Sequence, residues 1–295
     1  MPQLTVLTPL YNRSEFIDRM YRSLLSQTLT DFQWLVIDDG SRDDSEEVFR
    51  RLGETAPFMI EYHRKENGGK HTALNYSHPY IKSDFVLILD SDDTLSPDCV
   101  ETVCSYIERY CNDPEIGVLS FQRGTDKEHP LVAYSENEVV SDHIRYRIKE
   151  NRPGDSCEVV RTSVLLEYPF PVFPGERFLV ESHLWIESGK KYKTVYIPRV
   201  VYINDYQEGG LTNSGHAMRR TCPLGGMYTQ RLELDPVFPL KLRIKRGILI
   251  SYYGRLAKKK TGEILKYSGH PVFVALLLPV SYLLSFYENR KHGSR

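Results

Sequence analysis

Four short apolar segments in the first 90 residues alternate with segments of helical periodicity, and this alternation constrains the fold more than any other feature. The apolar segments occupy residues 4–7, 32–37, 58–63 and 85–89. Between the first two, apolar side chains recur at helical spacing from Phe16 to Leu25. Strands that alternate with helices predict an α/β domain with a mostly parallel central sheet flanked by helices.

The helix ends and the rest of the chain give less regular signals. Asn12, with Glu15 three residues later, has the pattern of a capping box and predicts the start of the first helix. Further helices are predicted at 44–52, 70–76 and 178–188, and further strands at 116–121, 158–161 and 195–202. Residues 125–150 give no clear pattern.

Three carboxylates follow the fourth apolar segment within four residues, at Asp90, Asp92 and Asp93. Their mutual repulsion makes such a cluster costly unless a cation compensates it, and hard oxygen ligands suit Mg²⁺ or Mn²⁺. A metal held by one or two carboxylates and several waters binds a diphosphate well, because phosphate oxygens complete its coordination shell. The alternative is a solvated acidic turn before a helix that starts near Ser96, where negative charge is favourable.

Polar clusters also follow the first two apolar segments, at Thr8–Asn12 and Asp38–Ser41. Ligands bind at the carboxyl ends of strands in a parallel sheet, so both clusters lie where a site is expected. A carboxylate there can accept a hydrogen bond from a uracil imide or a ribose hydroxyl, and Tyr11 can lie against a base. The alternative is that these residues form turns, with Ser41 or Asp43 capping a helix.

Two further segments carry candidate residues. In Asn67–Asn75, two glycines let the backbone pass close to a ligand, and Lys70 with the following helix N-terminus favours a donor phosphate. In the apolar stretch 178–188, Glu181 could deprotonate an acceptor hydroxyl as a general base. The alternative for Glu181 is a surface carboxylate on an amphipathic helix.

Composition limits the classes of function. The chain has 38 basic and 39 acidic residues, so a protein that binds nucleic acid over its whole surface is not expected. Its five cysteines are odd in number and lack CxxC spacing, which favours a reducing, cytoplasmic environment over a zinc site or a disulfide framework. No basic segment followed by an apolar one opens the chain, so no secretory signal is expected.

The last part of the chain has a different character. Nine Lys or Arg residues and a single acid occur in 241–266, and an uncharged apolar stretch follows at 271–287. That stretch is slightly shorter than the roughly 20 residues that a membrane-spanning helix needs. A basic segment beside an apolar one suits a helix in the membrane interface, and the alternative is a helical hairpin packed on the protein or a partner subunit. We predict two domains, 1–215 and a helical 216–295.

Together, these motifs resemble those of family 2 glycosyltransferases, which have the Rossmann-like GT-A fold. The matching features are TPLYN near the N-terminus, SLLSQT on the first helix, VIDDGSRDDS, NGGKHTALN and LDSDDTLSPD. Each motif is short, but they occur in the order and at the spacing that is typical of the family. The resemblance is strong over residues 1–110 and looser over 150–215.

The resemblance implies roles for residues around a nucleotide. Asp39 resembles the aspartate that binds the base, most often uracil, with Thr8, Pro9 and Tyr11 lining the base pocket. The segment 206–212 resembles a loop that closes over the donor diphosphate. The donor is therefore expected to be a nucleotide sugar, most often a UDP-sugar.

Asp90 and Asp92 resemble the two acids of the DXD motif. This implies that Asp92 ligates Mn²⁺ or Mg²⁺, that Asp90 contacts the ribose or the water shell of the metal, and that Asp93 faces the donor sugar. Glu181 lies 89 residues after Asp92, where the family carries its catalytic base, although most members have Glu-Asp there and this chain has Glu-Ser. Glu176 is the second choice for the base. The candidate donor-binding residues are Thr8, Pro9, Tyr11, Asn12, Asp39, Asn67, Lys70, Asp90, Ser91 and Asp93.

The resemblance implies an inverting, metal-dependent hexosyltransferase. Family members often build cell-surface polysaccharide on a saccharide or lipid-linked acceptor, at the cytoplasmic face of the membrane. The main alternative is a non-catalytic scaffold that keeps the fold and binds a nucleotide sugar. A nucleotidyltransferase is disfavoured because Thr8–Asn12 contains no glycine-rich phosphate loop, and a hydrolase of nucleotide sugars is a weaker alternative.

Overall fold

The structure, a computed structural model, describes residues 2–204 and 218–292. Internal contacts divide these residues into two units. The first unit contains residues 2–171 and 184–204, and the second contains residues 172–183 and 218–292. The domain boundary predicted at residue 215 falls outside the described residues. The grouping of 172–183 with the C-terminal helices was not predicted by the sequence.

A nine-stranded sheet forms the centre of the first unit. Its strands are β1 (Leu4–Leu10), β2 (Phe32–Asp38), β3 (Met59–Arg64), β4 (Phe85–Ile88), β5 (Thr94–Leu95), β6 (Ile116–Gly124), β7 (Val139–Ser141), β8 (Ser156–Arg161) and β9 (Lys193–Ile203). The strand order is β3-β2-β1-β4-β8-β6-β9-β5, and β7 pairs with β9. This α/β sheet flanked by helices confirms the predicted fold class.

The strands that carry the sequence motifs form the parallel half of this sheet. β3, β2, β1 and β4 run parallel to one another. Every residue of β1 and β2 is buried, which explains their nearly continuous apolar sequence. In this register Leu10 lies beside Asp38, and Asp38 lies beside Arg64. The polar clusters that follow these strands therefore meet at one edge of the sheet.

The other half of the sheet reverses direction at β8. This strand is antiparallel to both β4 and β6, whereas β6 is parallel to β9. Arg123 on β6 lies beside Tyr202 on β9 in the register of these strands. Both residues stand near the carboxyl end of β4, because both contact Asp90, which closely follows that strand.

Helices cover the sheet. Up to residue 204 they are α1 (Ser14–Leu25), α2 (Ser45–Gly53), α3 (Lys70–Tyr76), α4 (Cys99–Tyr110), α5 (Thr162–Glu167) and α6 (Ser182–Ser188), with a π-helix at Ile144–Lys149. On α1 the buried residues are Ile17, Met20, Tyr21 and Leu24, four of the six that the sequence predicted to face the core. Phe16 is half-buried and Leu25 is 43% exposed. Trp34 of β2 is fully buried, and its ring lies 6.3 Å from that of Tyr21. The core thus sits between the sheet and its helices.

The first helix does not begin as the sequence predicted. Its N-cap position is Arg13, which makes no side-chain cap hydrogen bond, and Asn12 has a φ of 50°. Arg42 N donates a hydrogen bond to Asn12 Oδ1 at 2.8 Å, and Ser14 N donates one to Asp43 Oδ2 at 2.8 Å. The predicted capping box is therefore wrong, because the Asn12 side chain turns toward the loop after β2 and a carboxylate of that loop serves the helix start.

The second unit is helical, as predicted for the C-terminal region. Its helices after residue 218 include α7 (Pro223–Leu232), α8 (Leu240–Leu256), α9 (Thr261–Ser268) and α10 (Pro271–His292). Buried side chains shared by these helices include those of Met227, Ile250, Tyr253, Ile264 and Val274. α8 and α10 run side by side in the same direction, since Arg243 lies over the ring of Phe273 and Arg255 bonds Ser285.

The helix predicted at 178–188 begins four residues later than expected, because α6 starts at Ser182. Before it, the main chain lies against α7. A Cβ atom on Gly225 would stand 3.0 Å from the carbonyl oxygen of Phe178 and 3.4 Å from a methyl group of Leu179. The longer helix was therefore a wrong prediction: contact with α7 takes the place of the first helical turn.

Candidate active site

Hydrogen bonds join the loops that follow β1 and β2. Asp39 N donates to the carbonyl oxygen of Leu10 at 2.8 Å, and Asn12 N donates to Ser41 Oγ at 2.9 Å. Tyr11 lies in the loop after β1, between Leu10 and Asn12, and its side chain is 45% exposed. Within the part of the chain that the structure describes, it stacks on no other ring. Tyr11 is thus free to lie against a base, as the sequence suggested.

The Asp39 carboxylate holds the loop that follows β3. Its Oδ1 accepts hydrogen bonds from Lys65 Nζ at 2.6 Å and Gly68 N at 2.9 Å. Its Oδ2 accepts them from Gly69 N at 2.6 Å and Asn67 Nδ2 at 3.1 Å. Four donors fill the lone pairs of a carboxylate. A base that bonded this carboxylate would have to displace one of them.

Glycine is required at position 40 for this loop arrangement. Gly40 has a φ of +83°, in the left-handed region that other residues adopt at a cost. A Cβ there would stand 2.8 Å from Asn67 N and 3.2 Å from the carbonyl oxygen of Lys65. The two loops therefore approach each other as closely as the absence of a side chain allows.

The hydroxyl of Thr8 points into the core. Thr8 is fully buried, and its Oγ1 accepts a hydrogen bond from Trp34 Nε1 at 3.0 Å. Pro9, the next residue, is also buried. Both residues were predicted to line a base pocket. Any contact between Thr8 and a donor would have to come from its main chain.

Two cations of the chain bind the Asp90 carboxylate. Lys70 Nζ donates to Asp90 Oδ1, and Arg123 Nη1 lies 3.3 Å from Asp90 Oδ2. Burial opposes ionisation of this carboxyl, but the charges of Lys70 and Arg123 outweigh burial and lower its pKa to about 2. Lys70 was predicted to bind a donor phosphate. In this structure it is paired with Asp90, and its binding to a phosphate stays a prediction.

Arg123 and Tyr202 tie Asp93 to the same network. Tyr202 Oη donates to Asp93 Oδ2 at 2.9 Å and accepts from Asp90 N at 2.9 Å. The Arg123 guanidinium lies 4.0 Å from the centre of the Tyr202 ring and 3.8 Å from Asp93 Oδ2. Arg123 Nε also donates to the carbonyl oxygen of Ser156 at 2.7 Å. The buried charges of this network are therefore bonded to one another and to the main chain.

This network corrects one sequence-based argument and adds two residues to the site. The clustering of the acids was attributed to compensation by a bound metal, but Lys70 and Arg123 compensate Asp90 within the chain. Neither Arg123 nor Tyr202 was predicted. The available signal was a single charged residue near the end of the otherwise uncharged strand β6, all of which is buried. A buried arginine requires an anionic partner.

Asp92 differs from its two acidic neighbours. Its main-chain oxygen accepts a hydrogen bond from Arg19, but no residue in 2–204 or 218–292 bonds its carboxylate. Ser91 beside it is half-buried. The described residues contain no cluster of three or more His, Cys, Asp or Glu side chains that would hold a metal alone. One available carboxylate fits Mg²⁺ or Mn²⁺ that takes its other ligands from water and a diphosphate.

The two candidate bases, Glu176 and Glu181, both belong to the second unit. Glu176 accepts hydrogen bonds from Leu224 N and Gly225 N, both at 2.7 Å, so its carboxylate caps the N-terminus of α7. Glu181 is half-buried and lies just before α6. The contacts of Glu176 are those of a structural residue, and Glu181 stays the predicted base. The predicted diphosphate loop at 206–212 lies outside the described residues.

The sequence pattern described as Glycosyl transferase family 2 matches residues 5–156. This range is about half of the chain and includes β1 to β4, the three acids after β4, and Arg123. The chain belongs to glycosyl transferase family 2. The family assignment from the sequence motifs is confirmed.

Known proteins are similar to different extents. The minor teichoic acid biosynthesis protein GgaB of Bacillus subtilis is 29% identical over 131 residues, which are 43% of this chain and 15% of that protein. The chain thus spans a small part of this relative. Among solved structures, S. aureus TarS 1–349 in complex with UDP-GlcNAc has a TM-score of 0.62 at 16% identity and covers 99% of this chain and 92% of that one.

A second solved structure supports the same fold. The mannosyltransferase PcManGT from Pyrobaculum calidifontis, in complex with GDP-Man and Mn²⁺, has a TM-score of 0.58 at 19% identity. It covers 98% of this chain and 82% of that one. At these identities the likeness concerns the fold of a family 2 glycosyltransferase and not its substrates.

Proposed function

We propose that this protein is an inverting glycosyltransferase that moves a sugar from a nucleoside-diphosphate sugar to a hydroxyl group. The proposed donor is a UDP-sugar. The observation that carries the proposal is the Asp92 carboxylate, which no residue in the described ranges bonds, beside an acid cluster that Lys70 and Arg123 neutralise. Both lie at the sheet edge where Tyr11 is exposed. A cation-binding carboxylate, positive side chains and an aromatic ring together suit a nucleoside diphosphate.

The residues of the first unit would bind and orient the donor. The Tyr11 ring would stack on the base, and the loop held by Asp39 would enclose it. Asp92 would hold Mg²⁺ or Mn²⁺, whose charge stabilises a departing diphosphate when bound. Lys70 would exchange its contact with Asp90 for one with a phosphate oxygen. The Mn²⁺ in the PcManGT complex supports this role for a metal.

Glu181 would act on the acceptor. Its carboxylate takes the proton of the acceptor hydroxyl, whose oxygen forms a bond to the anomeric carbon. The bond from that carbon to the phosphate oxygen breaks at the same time, and its electron pair leaves with the nucleoside diphosphate. A single displacement of this kind inverts the anomeric configuration.

The acceptor would be a saccharide or a lipid-linked saccharide used for cell-surface polysaccharide. The name of the relative GgaB supports this class, since it refers to teichoic acid biosynthesis. We propose that the enzyme works at the cytoplasmic face of the membrane, with the helical second unit making the peripheral contact.

The test is release of nucleoside diphosphate from a panel of nucleotide sugars with Mn²⁺ or Mg²⁺. We expect metal-dependent release from one donor, abolished by EDTA and reduced about 10²–10³-fold or more in Asp92→Ala. Asp18→Ala is the matched control, because Asp18 is 68% exposed and its ion pair within the described part of the chain is with Arg22 of the same helix, α1. The NMR coupling constant of the transferred sugar would report the anomeric configuration. Neither turnover nor metal-dependent binding of any donor would favour a scaffold instead.

A further inference from the structure

One face of α10 is apolar and open to solvent. The exposed residues on it are spaced by four, four, three and four positions, so they form one stripe along the helix. This α10 stripe consists of Val272, Leu276, Val280, Leu283 and Tyr287, which are 49–75% exposed. Phe286 adds to it and is 65% exposed. A continuous exposed apolar surface of this kind marks a contact with something outside the chain.

The opposite face of α10 is bound to α8 by polar contacts. Ser281 Oγ donates to the carbonyl oxygen of Ile248 at 2.8 Å, and Arg255 Nη2 donates to Ser281 Oγ and Ser285 Oγ at 2.6 Å each. By length and composition alone, Pro271–Glu288 could cross a membrane, with a mean hydropathy of 1.6. Its attachment to a basic helix argues against crossing, because α8 would have to enter the hydrocarbon with it.

Positive charge lies next to the stripe. The four-residue turn between α8 and α9 contains Lys258, Lys259 and Lys260, all exposed. It leads directly into Thr261, whose Oγ1 is 3.5 Å from the Oη of Tyr282 on α10. The single acid of this basic region, Glu263, accepts a hydrogen bond from Lys260 N and does not neutralise the cluster as a whole.

This combination of groups fits an anionic lipid surface better than a second copy of the chain. A symmetric contact through the stripe would bring the lysines of both copies to one interface, where like charges repel. Lipid headgroups supply the opposite charge, and the acyl boundary accepts apolar side chains with tyrosine at its polar edge. The apolar stripe alone would suit either a lipid surface or a second copy of the chain. The exposed lysines favour the anionic lipid surface.

We propose that α10 lies in the plane of a bilayer that contains anionic lipids, with the α10 stripe among the acyl chains and Lys258–Lys260 at the headgroups. The helix is attached to the surface by one face and does not span. This assigns a specific surface to the membrane contact of the proposed function, on which it otherwise does not depend. Vesicle binding and nucleotide-sugar turnover are separate measurements, so one proposal can fail without the other.

The experiment is flotation of the full chain with phosphatidylcholine vesicles, with or without phosphatidylglycerol. We expect binding that requires phosphatidylglycerol and weakens with salt. Leu276→Glu with Leu283→Glu should weaken it at least about 100-fold, because a carboxylate would replace each leucine that the acyl chains would bury. Changing Lys258, Lys259 and Lys260 to Gln should weaken it about 100-fold, at roughly fivefold for each lysine.

Leu166→Glu is the matched control, because Leu166 is 45% exposed on α5 of the first unit. It should bind vesicles like the wild type. A Leu283→Cys variant labelled with an environment-sensitive dye should shift to the blue with anionic vesicles, and a labelled Leu166→Cys variant should not. This second readout holds even if the charged variants fold poorly.

Three outcomes would overturn the proposal. The first is no binding of the wild type to anionic vesicles. The second is equal binding by the wild type and the Leu276→Glu, Leu283→Glu variant. The third is a lipid-free dimer in analytical ultracentrifugation that becomes a monomer in that variant, which would assign the stripe to a second copy of the chain.

Discussion

Charged side chains at the sheet edge of the first unit are paired with one another, whereas those in one turn of the second unit are exposed and unpaired within the described residues. In the first unit, acids and bases at the sheet edge are paired inside the fold, as Asp39 with Lys65 and Asp90 with Arg123. In the second, the lysines of the turn between α8 and α9 remain exposed and outnumber the nearby acids. Paired buried charges hold a site in one geometry, whereas unpaired surface charges attract a partner. The comparison suggests preorganised donor binding in the first unit and recognition of a surface in the second.

The strongest test of this division is substitution of the proposed catalytic base, which belongs to the second unit. Glu181→Gln should lower turnover with acceptor about 10²–10⁴-fold, because the hydroxyl loses its proton acceptor. Glu176→Gln should leave turnover within a few-fold and lower the free energy of unfolding by about 1 kcal/mol, because it weakens the cap of α7. Steady-state kinetics and urea unfolding of both variants make the comparison.

Loss of turnover in Glu176→Gln but not in Glu181→Gln, with unchanged stability of Glu176→Gln, would contradict the assignment. It would make Glu176 the base and its hydrogen bonds to Leu224 N and Gly225 N incidental. Release of nucleoside diphosphate from nucleotide sugars alone, without an acceptor, would still test the donor-binding role proposed for the first unit.

The sequence predicted local features correctly and missed contacts between residues that are distant in the chain. The four parallel strands and the face of α1 were predicted because strand and helix periodicity are local properties. Arg123 and Tyr202 were not, because 33 and 112 residues separate them from their partner Asp90. Asn12 was misread for the same reason: its side chain bonds Arg42, which is 30 residues away. The donor-binding roles and the base remain predictions.

The second test removes the buried cation of the first unit. Arg123→Met should lower the free energy of unfolding by about 3–5 kcal/mol, since it leaves the Asp90 and Asp93 carboxylates with less compensation in a buried place. Arg109→Met is the control, because the Arg109 side chain is 61% exposed and pairs with Glu138 at the surface. Its expected cost is below about 1 kcal/mol.

A double variant sharpens this result. Asp90→Asn combined with Arg123→Met removes both charges of the pair, so part of the lost stability should return, with a coupling of at least about 1 kcal/mol in a double-mutant cycle. Strict additivity of the two single losses would mean that the pair does not act as a unit, and the description of the network would have to be abandoned.

The third test uses pH to separate the units. Burial, and then the charge of Arg147, lower the pKa of His143 to about 4. The unfolded chain takes up this proton first, so stability should fall by up to about 3 kcal/mol as pH drops from about 6.5 to 4. His143→Gln should reduce that slope in urea unfolding curves, and the remainder should come from His71 and His78, whose pKa values burial also lowers. Vesicle binding should change little over the same range, because lysines stay charged.

The smallest expected effect concerns the glycine that lets the site loops meet. Gly40→Ala should cost about 1–2 kcal/mol, because the left-handed backbone disfavours a Cβ and Asn67 N stands 2.8 Å from its position. Gly53→Ala at the end of α2 should instead stabilise by about 0.5–1 kcal/mol, because nothing lies within 4 Å of the new methyl group. Donor affinity should fall only in the first variant. A neutral Gly40→Ala with unchanged donor binding would show that the two loops can separate without harm, and that the first unit is less preorganised than its hydrogen bonds imply.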